Sequence, residues 1–286
     1  ENSFNNLVSP GFAINKRINK VIAAYAAYSS AYKAPVSSNI LIATTGELNE
    51  SLKPERGNQW EVGTKGNLLN NRLYFSAAYF MTTFENKFTA VAVQNPSNTA
   101  TLYSYIVNGG AMKNNGLELL IKYKAIDSKD GFVKLLQPFA NLTYSDFTYA
   151  DFRYERIVKD VANLDSLVVE DYSGNRVAGV PPLVFNFGLD VDTRPGFYAN
   201  ITYNFRDAMY YTSDGTNEAD AFALVNAKLG YSHSIDRFDL DVFGGANNIL
   251  GTQYYQMVFI NQLPDAYIPG PNEINFFGGI RLKYAL

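Results

Sequence analysis

Arginine and aromatic residues that gather between predicted strands are the residues of this chain best suited to chemistry, and that chemistry is recognition. The segment Tyr149-Ala-Asp-Phe-Arg-Tyr-Glu-Arg156 places Arg153 and Arg156 among aromatic side chains. A guanidinium donates hydrogen bonds to anionic groups, and aromatic rings stack on flat or cationic ones. We therefore predict a ligand-binding set on the longer loops, made up of Arg153, Arg156, Tyr103, Tyr105, Tyr149 and Tyr154.

Catalytic and metal chemistry find little support. The one histidine, His233, stands beside a predicted tight turn, at the opposite end of the strands from the long loops. An outer-membrane hydrolase would need a histidine close to an aspartate or serine at the end with the long loops. The chain has no cysteine, which excludes disulfides, thiolate metal sites and cysteine nucleophiles. The acidic residues around 160–171 lack the spacing of a calcium-binding loop. We predict no catalytic residue, no metal site, no cofactor and no enzymatic activity.

The elements that position these residues are β-strands, because apolar and polar residues alternate along most of the chain. Charged residues make up only 18% of the sequence and the net charge is −3, so no basic surface points to nucleic acid. Eleven strands are predicted, at approximately Pro10–Ile18, Val21–Lys33, Trp60–Leu68, Arg72–Val91, Leu117–Lys124, Phe132–Tyr149, Leu183–Asp192, Phe197–Arg206, Ala221–Ser234, Arg237–Asn247 and Ile274–Leu286.

The connections between these strands alternate between very short and very long. Short periplasmic turns and long extracellular loops are typical of outer-membrane barrels, whose last strand ends at the periplasmic side. The last strand places Phe276, Ile280 and Leu282 on one face and Asn275, Arg281 and Lys283 on the other. Several strands exceed ten residues, which favours tilted membrane strands over the shorter strands of a soluble β-sandwich. The fold class is therefore predicted as an antiparallel transmembrane β-barrel.

Three further expectations concern individual residues. Glu61 and Lys65 share one face of their strand and are expected to form an ion pair inside the barrel. The pair Gly109-Gly110 is expected within a strand. Tyr210, Tyr211, Tyr254 and Tyr255 are favoured as an aromatic girdle at the membrane interface over a role in ligand binding.

Four segments resemble the C-terminal half of TonB-dependent outer-membrane receptors. These are Ser29-Ser-Ala-Tyr-Lys-Ala-Pro35, the stretch from Leu52-Lys-Pro-Glu55 to Trp60-Glu-Val-Gly-Thr-Lys-Gly66, Asn115-Gly-Leu-Glu-Leu119 and Ala246-Asn-Asn-Ile-Leu-Gly-Thr-Gln-Tyr-Tyr255. Each is weak alone, but their order and spacing over some 250 residues are specific. The terminal strand departs from the family pattern because it closes on Leu286 and not on an aromatic residue.

The resemblance implies that residues 1–286 are a partial barrel domain, the last eleven strands of a plugged barrel of about 22. The missing plug and first barrel half would be partners of this chain, together with outer-membrane lipid and, through the plug, the TonB complex. A surface lipoprotein or other assembly partner stays open. The implied function is uptake of a scarce nutrient in the Gram-negative outer membrane, with a ferric siderophore as the default ligand. The alternatives are a complete twelve-stranded outer-membrane hydrolase and a barrel subunit of a larger surface assembly.

Overall fold

Eleven long strands dominate the computed structural model, which describes residues 7–94, 101–159, 165–261 and 267–284. Their apolar side chains recur at every second position, which is the period of a strand with two different faces. The strands are β1 (Gly11–Arg17), β2 (Ile22–Lys33), β3 (Glu55–Leu68), β4 (Leu73–Glu85), β5 (Ala111–Tyr123), β6 (Val133–Asp151), β7 (Leu183–Thr193), β8 (Phe197–Arg206), β9 (Phe222–Ile235), β10 (Phe238–Asn247) and β11 (Asn275–Tyr284).

Each strand pairs antiparallel with its neighbours in the sequence, so the chain forms one continuous meander. The short strand Ile126–Asp127 adds to β6 and completes a twelve-stranded sheet, of which β1 and β11 are the two edges. The prediction of eleven strands joined by alternating short and long connections is confirmed. All short turns lie at one end of the sheet, here called the turn rim, and all long connections lie at the other, the loop rim.

The two faces of this sheet differ in chemistry as the alternation predicted. One face, here called the outer face, exposes large apolar side chains, and on β11 Phe276 is 81%, Ile280 75% and Leu282 63% exposed. The opposite, inner face carries polar and charged residues, including Glu118, Asn141, Asn186 and Lys228. An apolar face left open to its surroundings is stable in lipid and not in water. The sheet is therefore built as the wall of a membrane barrel.

Aromatic rings cover glycines along the inner face. In each case a ring on one strand lies over a glycine directly opposite it on the next strand, and a Cβ added at Gly188, for example, would lie 2.1 Å from Cζ of Phe139. Such cross-strand contacts stabilise a sheet and fix its register. The pairs are Tyr25–Gly63, Phe80–Gly116, Phe139–Gly188, Tyr198–Gly230, Phe277–Gly245 and Phe243–Gly279.

The long connections contain short elements of their own, most of them in segments that were predicted as loop. They are a helix at Ser37–Ile40 and strands at Leu41–Ile42, Glu47–Leu48, Phe88–Gln94, Thr101–Asn108, Arg153–Lys159, Asp165–Asp171, Met209–Tyr210, Glu218–Ala219, Tyr255–Val258 and Tyr267–Pro269. The predicted strand Arg72–Val91 merges two strands, because β4 ends at Glu85, Asn86 has a φ of 55°, and the last predicted residues belong to the separate strand Phe88–Gln94. None of the helices in the described part of the chain has the length and apolarity needed to cross a membrane.

Two smaller expectations are also wrong. Glu61 forms no ion pair with Lys65, and its carboxylate instead accepts hydrogen bonds from Tyr25 Oη at 2.6 Å and Gln59 Nε2 at 3.1 Å. Gly109 and Gly110 stand between strands and not within one, and Gly110 has a φ of 132°. A positive φ is a conformation that glycine adopts without steric cost, so the chain turns there.

Candidate functional site

Two long connections combine into one small sheet at the loop rim. The connection from β4 to β5 supplies the hairpin of Phe88–Gln94 and Thr101–Asn108, and the connection from β6 to β7 supplies the hairpin of Arg153–Lys159 and Asp165–Asp171. Arg153–Lys159 and Phe88–Gln94 pair in parallel and so join the hairpins into four strands. This sheet brings five of the six predicted ligand-binding residues onto one structure, since Tyr149 alone belongs to β6.

Two neighbouring cavities lie where this small sheet meets the ends of β5 and β6. One, of about 320 Å³, is lined by Arg153, Glu155, Asp151 and Asn108, and the other, of about 180 Å³, is lined by Tyr149, Phe152, Lys87, Met112, Ser213 and Asn261. Both cavities border Gly109, Gly110 and Asp151. The structure therefore brings Arg153 and Tyr149 to adjoining sites.

Arg153 is exposed and is paired across the strands with Asp171. Hydrogen bonds from Ser173, first from its side chain and then from its backbone N–H, lower the pKa of Asp171, and the positive charge of Arg153 adds to this effect. Asp171 is thus ionised at neutral pH, and the exposed Arg153 beside it carries five N–H donors that a ligand can accept from.

The other four candidates occupy different places. Tyr105 lies opposite Val91, which is 1% exposed, and burial followed by the charge of Glu155 raises the pKa of the Tyr105 phenol. Tyr103 lies opposite Val93 in the same hairpin, and neither tyrosine lines the two cavities. The backbones of Tyr154 and Arg156 pair with Glu170 and Val168, and their side chains lie outside the described part of the structure.

A buried serine connects three of the long connections. Ser213, 3% exposed, follows β8, and its hydroxyl lies 2.9 Å from Tyr149 Oη and accepts a hydrogen bond from Asn261 Nδ2 at 3.0 Å. Its backbone N–H donates to Asn261 Oδ1 at 2.7 Å, and its carbonyl accepts from Asn175 Nδ2 at 3.2 Å. Buried hydrogen bonds with every polar group satisfied make a structure rigid. The wall of the smaller cavity is therefore fixed from three sides.

A second anchor lies at the root of the small sheet. Asn108 accepts a hydrogen bond from the backbone N–H of Lys53 at 2.7 Å and donates to the carbonyls of Lys53 and Asn86, both at 2.8 Å. Asn49 Nδ2 donates to the carbonyl of Ile106 at 2.7 Å. The connection between β2 and β3 thus holds the hairpin that forms one wall of the larger cavity.

Sequence reasoning missed Lys87, Met112, Ser213 and Asn261 as residues of the site. They are scattered over four separate segments, and only the pairing of strands brings them together. No group of three or more potential metal ligands occurs in the ranges that the structure describes. The interface-girdle expectation is wrong for Tyr254, whose ring lies 4.9 Å from Phe222, a residue of the inner face.

His233 lies on β9 near the turn rim and stacks on Tyr231 at 5.9 Å, at the opposite end of the sheet from the cavities. This position does not suit the catalytic histidine that an outer-membrane hydrolase would place near its surface loops. An apolar outer face, short turns at one rim and interlocked loops around cavities at the other together define the wall of an outer-membrane barrel.

Residues 1–249 match the family model described as TonB dependent receptor-like, beta-barrel, and the chain belongs to that family. The family's barrels lie in the outer membrane of Gram-negative bacteria, which confirms the predicted location. Its members are receptors and not enzymes, as the sequence predicted. Family membership also confirms the fold class.

Known proteins similar to this chain include receptors for iron carriers. The ferripyoverdine receptor of Pseudomonas aeruginosa is 39% identical over 72 residues, which are 24% of this chain and 9% of that receptor. The siderophore receptor PiuA from Acinetobacter baumannii has a TM-score of 0.68 at 18% identity, over 95% of this chain and 35% of that one. The unliganded ferric citrate transporter FecA has a TM-score of 0.69 at 17% identity, over 96% of this chain and 38% of that one. The chain therefore spans between a third and two fifths of the length of these two solved structures.

Proposed function

We propose that this chain is the ligand-binding barrel wall of a TonB-dependent receptor that imports an iron-siderophore complex across the outer membrane. A longer protein would supply a plug and further strands, and the TonB complex would act through that plug. The likeness to a ferripyoverdine receptor and to the siderophore receptor PiuA supports an iron carrier as the ligand.

The observation that carries this proposal is the pair of adjoining cavities at the loop rim. Tyr149 and Phe152, with ring centroids 4.7 Å apart, offer an aromatic wall, while Lys87 and Arg153 add positive charge. Ferric chelates expose flat aromatic or hydroxamate groups and anionic oxygen atoms, which aromatic rings and guanidinium groups recognise. Largely preformed cavities of a few hundred Å³ are typical of small-molecule sites.

The test uses the complete receptor that contains this chain, produced in a Gram-negative strain that lacks its own siderophore receptors. Uptake of ⁵⁵Fe is measured for a tris-catecholate, a trihydroxamate, a pyoverdine and citrate as carriers. We expect TonB-dependent uptake of at least one carrier. No uptake of any of them, from a receptor that reaches the outer membrane folded, contradicts the proposal.

The same assay locates the ligand among the candidate residues. Arg153→Ala is expected to weaken binding of the imported carrier by about 10-fold, since a hydrogen bond to a charged group contributes about 1.5–3 kcal/mol. Arg156→Ala tests the second predicted arginine, and Arg237→Ala, beside the turn between β9 and β10, is the matched control. If both loop variants bind like the control, these two arginines are not ligand residues.

A further inference from the structure

Arg206 is a charged residue at the loop rim that the candidate site does not use. It is the last residue of β8, and it lies opposite Phe222, the first residue of β9. Along β8 its position alternates with that of Tyr203 and Ile201, which are exposed on the outer face, so Arg206 belongs to the inner face. The guanidinium carbon lies 4.5 Å from the centre of the Phe222 ring. The side chain is thus held above the inner wall by a cation–π contact.

The charge of Arg206 has few partners. Nη2 donates one long hydrogen bond, 3.5 Å, to the carbonyl of Tyr255, and Nε is buried without a hydrogen-bond partner. Over the described ranges, the ion pairs of this chain involve Lys33, Lys87, Lys124 and Arg194, and none involves Arg206. A partly buried guanidinium without a carboxylate partner destabilises the fold, because the loss of its hydration is not offset by an ion pair.

The residues around Arg206 are aromatic and fix its surroundings. Tyr254 packs on Phe222 with ring centroids 4.9 Å apart, and Tyr255 packs on Tyr267 at 3.9 Å. Aromatic neighbours exclude water and strengthen any charge-assisted hydrogen bond that forms beside them. A planar guanidinium with free N–H donors in such a setting suits a carboxylate or catecholate, whose paired oxygens it binds in bidentate fashion.

We propose that Arg206 is an anion-binding subsite at the loop rim of the inner face, and that it takes a paired-oxygen anion. The anion has two candidate sources with the same chemistry. One is an anionic ferric chelate on its way into the barrel, and this part rests on the proposed import function. The other is a carboxylate from a further segment of the same receptor.

The experiment compares Arg206→Gln, Arg206→Lys and the control Arg237→Gln in the complete receptor. Folding of each variant is verified by the gel-mobility shift that folded barrels show without heating. Two quantities are then measured: the melting temperature without ligand, and the Kd for ferric citrate, an anionic ferric tris-catecholate and a neutral ferric trihydroxamate.

If the ligand supplies the anion, Arg206→Gln weakens binding of an anionic chelate by about 10- to 100-fold and leaves the neutral one unchanged. If the receptor supplies it, Arg206→Gln lowers the melting temperature without ligand, and Arg206→Lys restores part of the loss. The proposal is overturned if Arg206→Gln matches Arg237→Gln in both measurements. The stability measurement needs no ligand, so failure of the import function alone would leave it interpretable.

Discussion

The carboxylate of Glu55 lies 3.6 Å from the ammonium of Lys33, and this contact joins the two sequence segments Ser29–Pro35 and Leu52–Gly66 at the loop rim. Glu55 is 7% exposed, and its Oε1 also accepts a hydrogen bond from the backbone N–H of Phe88 at 2.5 Å. The ammonium of Lys87 lies 3.7 Å from the same Oε1 of Glu55. One buried carboxylate therefore binds the end of β2 and the start of β3 to the first strand of the small sheet.

Replacing Glu55 tests this anchor. Glu55→Ala is expected to cost about 2–3 kcal/mol of unfolding free energy, mainly because the N–H of Phe88 loses a charged acceptor. The contribution of Lys33 is small, since its side chain is 67% exposed. The measurement is urea unfolding of the complete receptor in lipid vesicles. Glu85→Gln, an exposed carboxylate at the end of β4, is the control, and an equal effect of both variants would refute the anchor.

Gly110 shows how closely β5 and β6 approach beside the two cavities. A Cβ at this position would lie 1.7 Å from the carbonyl oxygen of Asp151, and the φ of Gly110 is 132°. Gly110→Ala must therefore separate the strands, and we expect a loss of about 2–3 kcal/mol together with weaker ligand binding.

The control for Gly110 is Gly174→Ala. Gly174 also has a positive φ, 87°, but nothing lies within 4 Å of an added Cβ. Backbone strain alone should cost about 1 kcal/mol there. Urea unfolding and chelate binding are compared for the two variants. Equal losses would mean that the close approach to Asp151 has no effect of its own.

The long strands could be predicted from the sequence, and the small sheet could not, for a physical reason. Alternation between lipid and lumen is a local pattern, and β8 at Phe197–Arg206 was predicted to the residue. The alternation of apolar and polar residues in β4 continues into Phe88–Gln94, so the sequence pattern does not show where one strand ends and the next begins. Its parallel pairing with Arg153–Lys159 joins residues about 65 positions apart, which no local pattern encodes.

The candidate site was likewise predictable from the sequence only in part. Residue type was sufficient to propose Arg153 and Tyr149 as candidates, because arginine and tyrosine at or near the long loops of a receptor suit ligand binding. Ser213 and Asn261 carry no such signal, since serine and asparagine are common in any loop. Their importance comes from burial and from partners in three different connections, which only the folded structure brings together.

Acid should loosen the connection between β8 and β9. Burial alone would raise the pKa of Asp214, but hydrogen bonds from the Thr212 hydroxyl and from the N–H and hydroxyl of Thr216 outweigh it and lower the pKa below its usual value. When folding lowers the pKa of a carboxyl group, the charged form of that group stabilises the folded protein. This contribution is complete at a pH above the pKa of the group in the unfolded chain, and it is lost as the pH falls through the pKa of the group in the folded protein.

Hydrogen exchange of the amides at 212–217, corrected for intrinsic rates, measures this effect. We expect constant protection from pH 7 to about pH 4 and a fall below it. Asp214→Asn keeps an acceptor oxygen that does not titrate, so its protection should be lower at pH 7 and nearly independent of pH. A wild-type profile that is flat down to pH 2 would contradict the assignment.

Tyr149 has two roles that substitution can separate. Its ring forms a wall of the smaller cavity beside Phe152, and its hydroxyl lies 2.9 Å from Ser213 Oγ. Tyr149→Phe removes only the hydroxyl and leaves the buried Ser213 with one partner fewer, at a cost of about 1–2 kcal/mol. We expect faster hydrogen exchange around Ser213 and Asn261 in this variant, with ligand affinity within about threefold of wild type because the aromatic wall remains.

Tyr149→Ala removes both features. It should show the same faster exchange and, in addition, a loss of ligand affinity of about 10-fold or more, because a stacking surface disappears. Ser213→Ala is the matched variant that breaks the hydrogen bonds and keeps the ring, and it should behave like Tyr149→Phe. If Ser213→Ala lowers affinity as much as Tyr149→Ala, then the rigidity of the three connections, and not the aromatic wall, determines binding at the loop rim.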